Sequence, residues 1–339
     1  MGIGISLSGL ASAVANEGGI GVIATPGIGM SEPDYWTETP AANARVFRSE
    51  IQKAKKLTRG IIGVNIMVAL TNYAELVKIA IDEKVDIVFS GAGLPMNLPE
   101  FVSKDSTSKL VPIVSSGRAA KIICKKWMDR YNYLPDAVVV EGPLAGGHLG
   151  FKAEHIFLPE YALEKLVPEV IEAVKPFEVK YGKRIPVIAG GGVYTGQDIR
   201  KFLALGVAGV QMATRFVTTN ECDADIRFKQ AYIDCTKEDI TIIKSPVGMP
   251  GRAIRNSYIT DVEQGKKKPF KCPYHCLLTC DVVNSPYCIA LTLANAKTGN
   301  LVDGFAFAGA NAYRAKKIIS VKELIQTIAD EYKASVNQS

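Results

Sequence analysis

The chain has 339 residues, of which 47% are hydrophobic and 22% charged, and its formal net charge is +6. That length can bury a large core, in one big domain or in one domain with a smaller insertion. The lysines are scattered apart from the run Gly265-Lys266-Lys267-Lys268, which is typical of a solvated loop. Because the lysines are scattered, we expect no nucleic-acid partner. No apolar segment reaches the roughly 20 residues of a membrane helix, so we expect no membrane partner either.

The N-terminus and the cysteines bear on the compartment. Residues 1–24 are apolar and contain Ala11-Ser12-Ala13, the form of a signal cleavage site, but a basic start is missing and glycines interrupt the segment. We interpret the segment as part of the fold. The seven cysteines are an odd number, and four of them cluster late in the chain, unlike a secreted disulfide framework. We expect a cytoplasmic protein.

Short β-rich apolar runs alternate with amphipathic segments along the first two thirds of the chain. In chain order the pattern predicts helix Leu7–Glu17, strand Gly21–Ala24, helix Ala41–Lys56, strand Ile61–Asn65, helix Tyr73–Glu83, strand Asp86–Phe89, strand Val111–Val114, helix Arg118–Tyr131, strand Ala137–Val140, helix Pro159–Val179, strand Pro186–Ala189, helix Gly196–Leu205 and strand Gly209–Met212. This alternation indicates βαβ units around a parallel sheet, either a barrel or an open sheet. A closed barrel needs eight strands, one more than the pattern predicts, and the shortfall lies at the N-terminus.

The alternation stops after Met212. Residues 218–300 carry charged helical segments, Pro and Gly turns and the cysteine cluster, which indicates an inserted helical lid. A glycine-rich stretch and a last helix, Val321–Tyr332, follow it. We therefore predict a βα domain formed by residues 1–217 and 301–339, and a lid formed by residues 218–300.

Small or polar residues follow six of the predicted strands: Asn65, Ser90–Gly93, Ser115–Gly117, Glu141–His148, Gly190–Gly192 and Thr214–Arg215. In a parallel βα fold these strand ends meet on one rim, where active sites lie. The turn Gly190–Gly192 leads into a helix, so its backbone N–H groups suit a phosphate, the more so with Thr214 one strand later. The alternative is a tight turn that uses glycine for a positive φ.

His148 is the histidine of this rim, in the stretch Glu141-Gly-Pro-Leu-Ala-Gly-Gly-His148. An imidazole can exchange a proton near neutral pH or hydrogen-bond a polar substrate, and the two preceding glycines leave room for a flat ring. The alternative is a structural histidine in a loop, a role that suits His155 well.

Several stretches together resemble the nitronate monooxygenase family, which also includes flavin-type enoyl-acyl-carrier-protein reductases. The matching pieces cover most of residues 1–260 and are LASAVANEGGIGVI, GVNIM, the GAG after DIVFS, EGPLAGGHLG, VIAGGGV, GVQMATRF and PGRAIRN. The resemblance implies a TIM-type (β/α)8 barrel with a helical lid and non-covalently bound FMN.

Carried over by position, the resemblance implies that Asn65 touches the flavin ring or its chain and that Gly146 passes close to the cofactor. Glu141 stands where the monooxygenase branch tends to carry Gln and the reductase branch Glu. The implied catalytic residue is His148, as a base that removes the α-proton of a nitroalkane or as a group poised over the flavin in the reductases. The implied phosphate-binding residues are Gly191, Gly192, Gln211, Met212, Ala213 and Thr214, where Ala213 replaces the usual Gly.

The resemblance also accounts for the absent strand. Family members begin with a strand that ends in a Gln-Gly-Gly-Met-like turn, and Met1 stands where that Met would be. We therefore expect a truncated first strand and a barrel that is open or distorted between its second and eighth strands.

The late cysteines, Cys272, Cys276, Cys280 and Cys288, have the spacing C-x3-C-x3-C-x7-C. Four thiolates so close in sequence could hold an iron–sulfur cluster or zinc, although the spacing matches neither ferredoxin runs nor zinc ribbons. The four-residue steps could instead place three of them on one helix face as small core residues.

Three functions are compatible with this sequence, each with a small molecule as the partner. The first is an FMN-dependent nitronate monooxygenase that converts alkyl nitronates to carbonyl compounds and nitrite. The second is an FMN-dependent enoyl-thioester reductase that uses NAD(P)H, and the third is a flavin-free binding module. A homodimer is a further expectation.

Overall fold

The computed structural model describes residues 2–266, 268, 270–272 and 274–337. In chain order its helices and strands are α1 (Ser8–Asn16), β1 (Gly21–Ala24), α2 (Thr39–Leu57), β2 (Ile62–Met67), α3 (Tyr73–Asp82), β3 (Ile87–Gly91), β4 (Lys109–Val114), α4 (Gly117–Tyr131), β5 (Val138–Glu141), β6 (Gly147–His148), α5 (Leu163–Tyr181), β7 (Val187–Gly190), α6 (Gly196–Ala204), β8 (Gly209–Gln211), α7 (Thr214–Val217), α8 (Ile226–Asp234), β9 (Ile240–Lys244), β10 (Pro250–Ile254), α9 (Ser257–Glu263), α10 (Ile289–Lys297) and α11 (Val321–Asn337).

Seven parallel strands form one curled sheet in the order β1-β2-β3-β4-β5-β7-β8. Within the described chain β1 and β8 are its two edges and do not pair with each other. A cavity of about 480 Å³ separates these edges and is lined by Val22 of β1, Val210 of β8 and side chains of α1. The predicted TIM-type α/β fold is confirmed, and its sheet is open between β1 and β8.

The elements form where local chemistry favours them, as α4 illustrates. The Ser116 hydroxyl accepts a hydrogen bond from the Ala119 N–H at the start of this helix, and Asn132 ends it with a left-handed φ of 51°. Trp127 is fully buried between these ends and donates its indole N–H to the Pro95 carbonyl oxygen over 2.9 Å. Such apolar contacts on both faces of the sheet explain why its strands read as continuous hydrophobic runs.

The segment of residues 218–300 contains α8, α9 and α10 and, in addition, a hairpin of β9 and β10 that the sequence pattern did not predict. The two strands pair antiparallel, from Pro250 opposite Lys244 to Ile254 opposite Ile240, and β10 also pairs with β6. A purely helical lid was therefore an incomplete description. The missed signal was the β-branched run of β9 followed by a turn that contains glycine.

Gly196 begins α6 where that helix packs against α11. A Cβ atom on Gly196 would lie 2.1 Å from Tyr332 N and 2.4 Å from Ile328 O, and these backbone atoms cannot yield without moving α11. Gly196→Ala should lower the free energy of unfolding by about 1–3 kcal/mol, the usual cost of overpacking. Denaturant unfolding checks this, with Gly209→Ala as the matched control because a Cβ atom there meets nothing within 4 Å. Equal stability of the two variants would contradict this account of the contact.

Candidate active site

Two adjoining pockets occupy the rim at the carboxyl ends of the sheet strands. The first, called here the glycine pocket, has a volume of about 140 Å³ and is lined by Glu141, Gly146, Gly191, Gly192, Gln211, Met212, Ala213 and Thr214. The second, the His148 pocket, has a volume of about 290 Å³ and is lined by Asn65, Ser115, Glu141, Gly146, His148 and Gln211. Because the pockets share Glu141, Gly146 and Gln211, the structure brings all ten residues implied by the family resemblance into one cleft.

The glycines of this cleft are required by the backbone itself. Gly191 and Gly192 have φ values of +92° and +98°, which other residues rarely adopt. A Cβ atom on Gly191 would also lie 2.6 Å from the Gly142 oxygen, and one on Gly192 would lie 2.9 Å from the Leu144 side chain. The two interpretations of this turn, a tight turn that needs glycine and a phosphate-binding turn, are therefore compatible with each other. The positive φ values form the tight turn, and the same turn lines the pocket.

Asn65 supplies a sign that the cleft is built for a ligand. Its Oδ1 atom is buried and has no hydrogen-bond partner within the described residues. Buried polar atoms of proteins are nearly always hydrogen-bonded, and an unpaired one is costly. An acceptor left open beside the His148 pocket fits a bound group that carries an N–H donor.

His148 is held from two sides. It lies on β6, opposite Gly251 of β10, and its Nε2 atom is 2.7 Å from the Oγ atom of Ser245, which is buried. The ring of Phe307 contacts the imidazole edge to face, with centroids 5.0 Å apart. Burial lowers the pKa of His148 from 6.5 to about 4, so the imidazole is neutral at physiological pH.

Glu141 ends β5 at the boundary of the two pockets. Its carboxyl group makes no hydrogen bond or ion pair with the described part of the chain, and burial raises its pKa above the ordinary value of 4.5. A carboxyl group in this setting is biased towards its protonated form. It can then donate a hydrogen bond or a proton into the cleft.

Arg252 and Arg255, the two arginines of the stretch PGRAIRN, both have partners within the chain. Arg252 is 3% exposed, and its Nη1 atom donates to the Pro143 and Ala145 carbonyl oxygens over 2.5 and 2.6 Å. Burial lowers its pKa to about 10, which still leaves it charged at neutral pH. Arg255 forms an ion pair with Glu263. Arg252 thus fixes the backbone of the loop that precedes His148.

Three contributors to the cleft were not identified from the sequence. Ser245 contacts His148, Phe307 lines the glycine pocket, and the Nδ2 atom of Asn311 donates to the Gly192 oxygen over 2.8 Å. The sequence predicts a turn in the glycine-rich stretch GFAFAGANAYR, but only the tertiary structure shows that this stretch lies at the rim. Apart from its place before a turn that contains glycine, no local sequence feature of Ser245 indicates that it contacts His148.

Three of the four late cysteines line a separate pocket. Cys272, Cys276 and Cys288 line it together with Trp36, and the structure contains no disulfide among the cysteines it describes. Burial, together with the charges of the Cys288, Cys272 and Cys280 thiolates, raises the pKa of Cys276 to about 12. The hypothesis that three cysteines share a helix face is wrong, because positions 272, 276 and 280 lie outside every helix.

The described residues contain neither a side-chain group that could hold a single metal ion nor a membrane-spanning helix. As the side chains are arranged, no group of three His, Cys, Asp or Glu residues in this part of the chain is placed to hold a single metal ion. None of the helices in the described ranges is long and apolar enough to span a bilayer.

His148→Gln should remove a pH dependence of stability. Between pH values of about 6.5 and about 4 an unfolded His148 binds a proton that the folded one does not, so stability falls as the pH falls through this window. The wild-type chain should lose up to about 1.4 kcal/mol per pH unit there relative to the variant, with a constant difference above about pH 7. Denaturant titrations at about pH 5 and about pH 7.5 measure this. A difference that does not change with pH would argue against a buried, neutral imidazole.

Comparison with known proteins assigns this chain to a family. The nitronate monooxygenase profile matches residues 1–331. A Rhodococcus jostii protein, (3aS,4S,5R,7aS)-5-hydroxy-7a-methyl-1-oxo-octahydro-1H-indene-4-carboxyl-CoA dehydrogenase, is 30% identical over 256 residues, which are 75% of this chain and 61% of that protein. A probable nitronate monooxygenase of Staphylococcus aureus is 35% identical over 130 residues, 38% of this chain and 34% of that one. The chain thus spans about three fifths or less of the length of these curated relatives.

Solved structures agree on the fold. FabK from Thermotoga maritima superposes with a TM-score of 0.75 at 26% identity and covers 98% of this chain and 91% of its own. Nitroalkane oxidase from Streptomyces ansochromogenes gives 0.74 at 22% identity, with 100% and 95% covered, and this likeness concerns the fold alone. With a profile match over nearly its whole length, the chain belongs to the nitronate monooxygenase family of oxidoreductases.

Proposed function

We propose that this protein is an FMN-dependent oxidoreductase that converts alkyl nitronates to carbonyl compounds and nitrite. The observation that carries the proposal is the neutral imidazole of His148, fixed by Ser245 in the cleft that also contains the glycine turn. Family membership supports the reaction class.

The residues of the cleft fit FMN. The backbone of Gly191 and Gly192 and the hydroxyl of Thr214 would hold the phosphate in the glycine pocket, and the open Oδ1 atom of Asn65 would accept from the ring. FMN, when bound, supplies the capacity to take electrons from the substrate and to pass them to oxygen. The protein's own contribution is to orient the substrate and exclude water.

His148 is better suited to a nitronate than to a neutral nitroalkane. An imidazole with a pKa of about 4 is a weak base, so it is poorly matched to removal of an α-proton. A nitronate has already lost that proton and carries its negative charge on oxygen. A neutral imidazole can donate one hydrogen bond to such an oxygen, with Ser245 fixing the position of the ring.

A second candidate function is reduction of an enoyl thioester with NAD(P)H. The observation that favours it is the Glu141 carboxyl group, which has no hydrogen-bond partner among the described residues and whose raised pKa suits a proton donor to the substrate carbon. The likeness to FabK and to a carboxyl-CoA dehydrogenase is compatible with an acyl-thioester substrate.

Cofactor identity can be tested through the phosphate. Thr214→Val removes one hydroxyl from the glycine pocket while keeping the side-chain shape, so the dissociation constant for FMN should rise about 5- to 10-fold, as for one lost hydrogen bond of about 1 kcal/mol. Riboflavin, which has no phosphate, should bind both proteins equally. Fluorescence titration of the flavin measures both constants. If the purified protein is colourless and added FMN does not bind, the chain is a flavin-free module and the proposal fails.

Anaerobic reduction of bound flavin separates the two reactions. We expect an alkyl nitronate to bleach the flavin, the matching neutral nitroalkane to do so at least about 100-fold more slowly because His148 is a weak base, and NADPH to have no rapid effect. Glu141→Gln should leave nitronate oxidation within about threefold of wild type, whereas a reductase should lose at least about 100-fold. Rapid bleaching by NADPH alone would favour the reductase. Full turnover by a flavin-retaining His148→Ala variant would remove His148 from the chemistry.

A further inference from the structure

The four late cysteines lie apart from the flavin cleft and take no part in the proposed reaction. We propose that Cys272, Cys276, Cys280 and Cys288 are the ligands of a [4Fe–4S] cluster. Four thiolates are the usual ligand set of such a cluster. The pocket that Cys272, Cys276 and Cys288 line is called here the thiol pocket.

The thiols are grouped in space as well as in sequence. Cys272, Cys276 and Cys288 line one pocket, and Cys280 lies four residues after Cys276 in a turn closed by a hydrogen bond from Cys280 N to the Leu277 oxygen over 3.1 Å. Four like charges cannot gather in a half-buried pocket without a cation between them. A metal centre supplies that cation.

The spacing of the thiols favours a cluster over one ion. Zinc binds thiolate sulfur at about 2.3 Å, so a single ion draws its ligands tightly together. In the described chain no three such side chains are that closely grouped. A cluster of four iron atoms lies between its thiolates and holds them farther apart, so it does not require three thiols to converge on one point.

The segment that carries the thiols is fixed at its two ends and poorly packed between them. Thr71 N donates to the Cys276 oxygen over 3.1 Å and Leu278 N to the Ala69 oxygen over 2.9 Å, while Cys288 caps α10. Between these anchors Leu278 is 62% and Val283 89% exposed. A loop with so little buried apolar surface depends on another stabilising element, and a metal centre is the usual one.

The surroundings suit a centre of negative charge beside the active site. Lys271 lines the thiol pocket, so its ammonium group would offset part of the charge of a four-thiolate cluster. Cys276 also lines a cavity of about 50 Å³ to which His148, Met67 and Phe307 contribute. Cys276 thus faces a cavity that His148 also lines.

Metal analysis of the whole chain tests the proposal. After expression with added iron and anaerobic purification, we expect about four iron and four acid-labile sulfide per chain, and an electron paramagnetic resonance signal of a reduced cluster after dithionite. Cys276→Ser and Cys280→Ser should each lose more than half of the iron. Cys235→Ser, at a buried cysteine outside the thiol pocket, is the matched control and should keep it.

Two results would overturn the proposal. One is about one zinc per chain with no iron; the other is less than about half an equivalent of iron after anaerobic reconstitution with iron and sulfide. Circular dichroism and the melting temperature establish that each variant has folded, and Cys280→Ser, at a partly exposed position, is the safer of the two. Iron and sulfide are measured equally well on flavin-free protein, so this test can fail while the proposed flavin function stands, or succeed while it fails.

Discussion

The cleft depends on a close backbone contact between two loops that are far apart in sequence. A Cβ atom on Gly146 would lie 2.6 Å from Ala308 C and Gly309 N, so only glycine permits this approach. Two backbone hydrogen bonds accompany it, from Ala310 N to the Leu144 oxygen and from Ala308 N to the Arg252 oxygen, each 3.1 Å long. Because Arg252 also holds the Pro143 and Ala145 carbonyls, three segments are fixed together around His148.

Burial then sets the chemistry of the fixed groups. His148 and Glu141 face the same cleft, and desolvation biases both towards their neutral forms, the imidazole by a lowered pKa and the carboxyl by a raised one. A Glu141 carboxyl group biased towards its neutral form repels an anionic substrate less than an ionised carboxylate would. The same pair can supply hydrogen-bond or proton donors, which is why oxidation of a nitronate and reduction of an enoyl thioester are both chemically reasonable here.

The rim is asymmetric in how it is supported. On one side, parallel strand ends with fully buried side chains such as Val64 and Val140 hold Asn65 and Glu141. On the other, the β9–β10 hairpin, the stretch of residues 305–311 and the cysteine loop close over the cleft. The cysteine loop has the least apolar burial of these, so a metal centre would matter most for stability there, close to His148.

The sequence by itself determined the alternation of strands and helices, the gap left by one absent strand, and the rim residues at the strand ends. These follow from local periodicity and from the rule that parallel strands end on one side. Only the tertiary structure decided that Ser245 holds His148, that Arg252 is a buried clamp, and that residues 307–311 complete the glycine pocket. Those contacts join residues about 100 or more positions apart, and no local propensity encodes them because their free energy comes from burial that exists only once the sheet has curled.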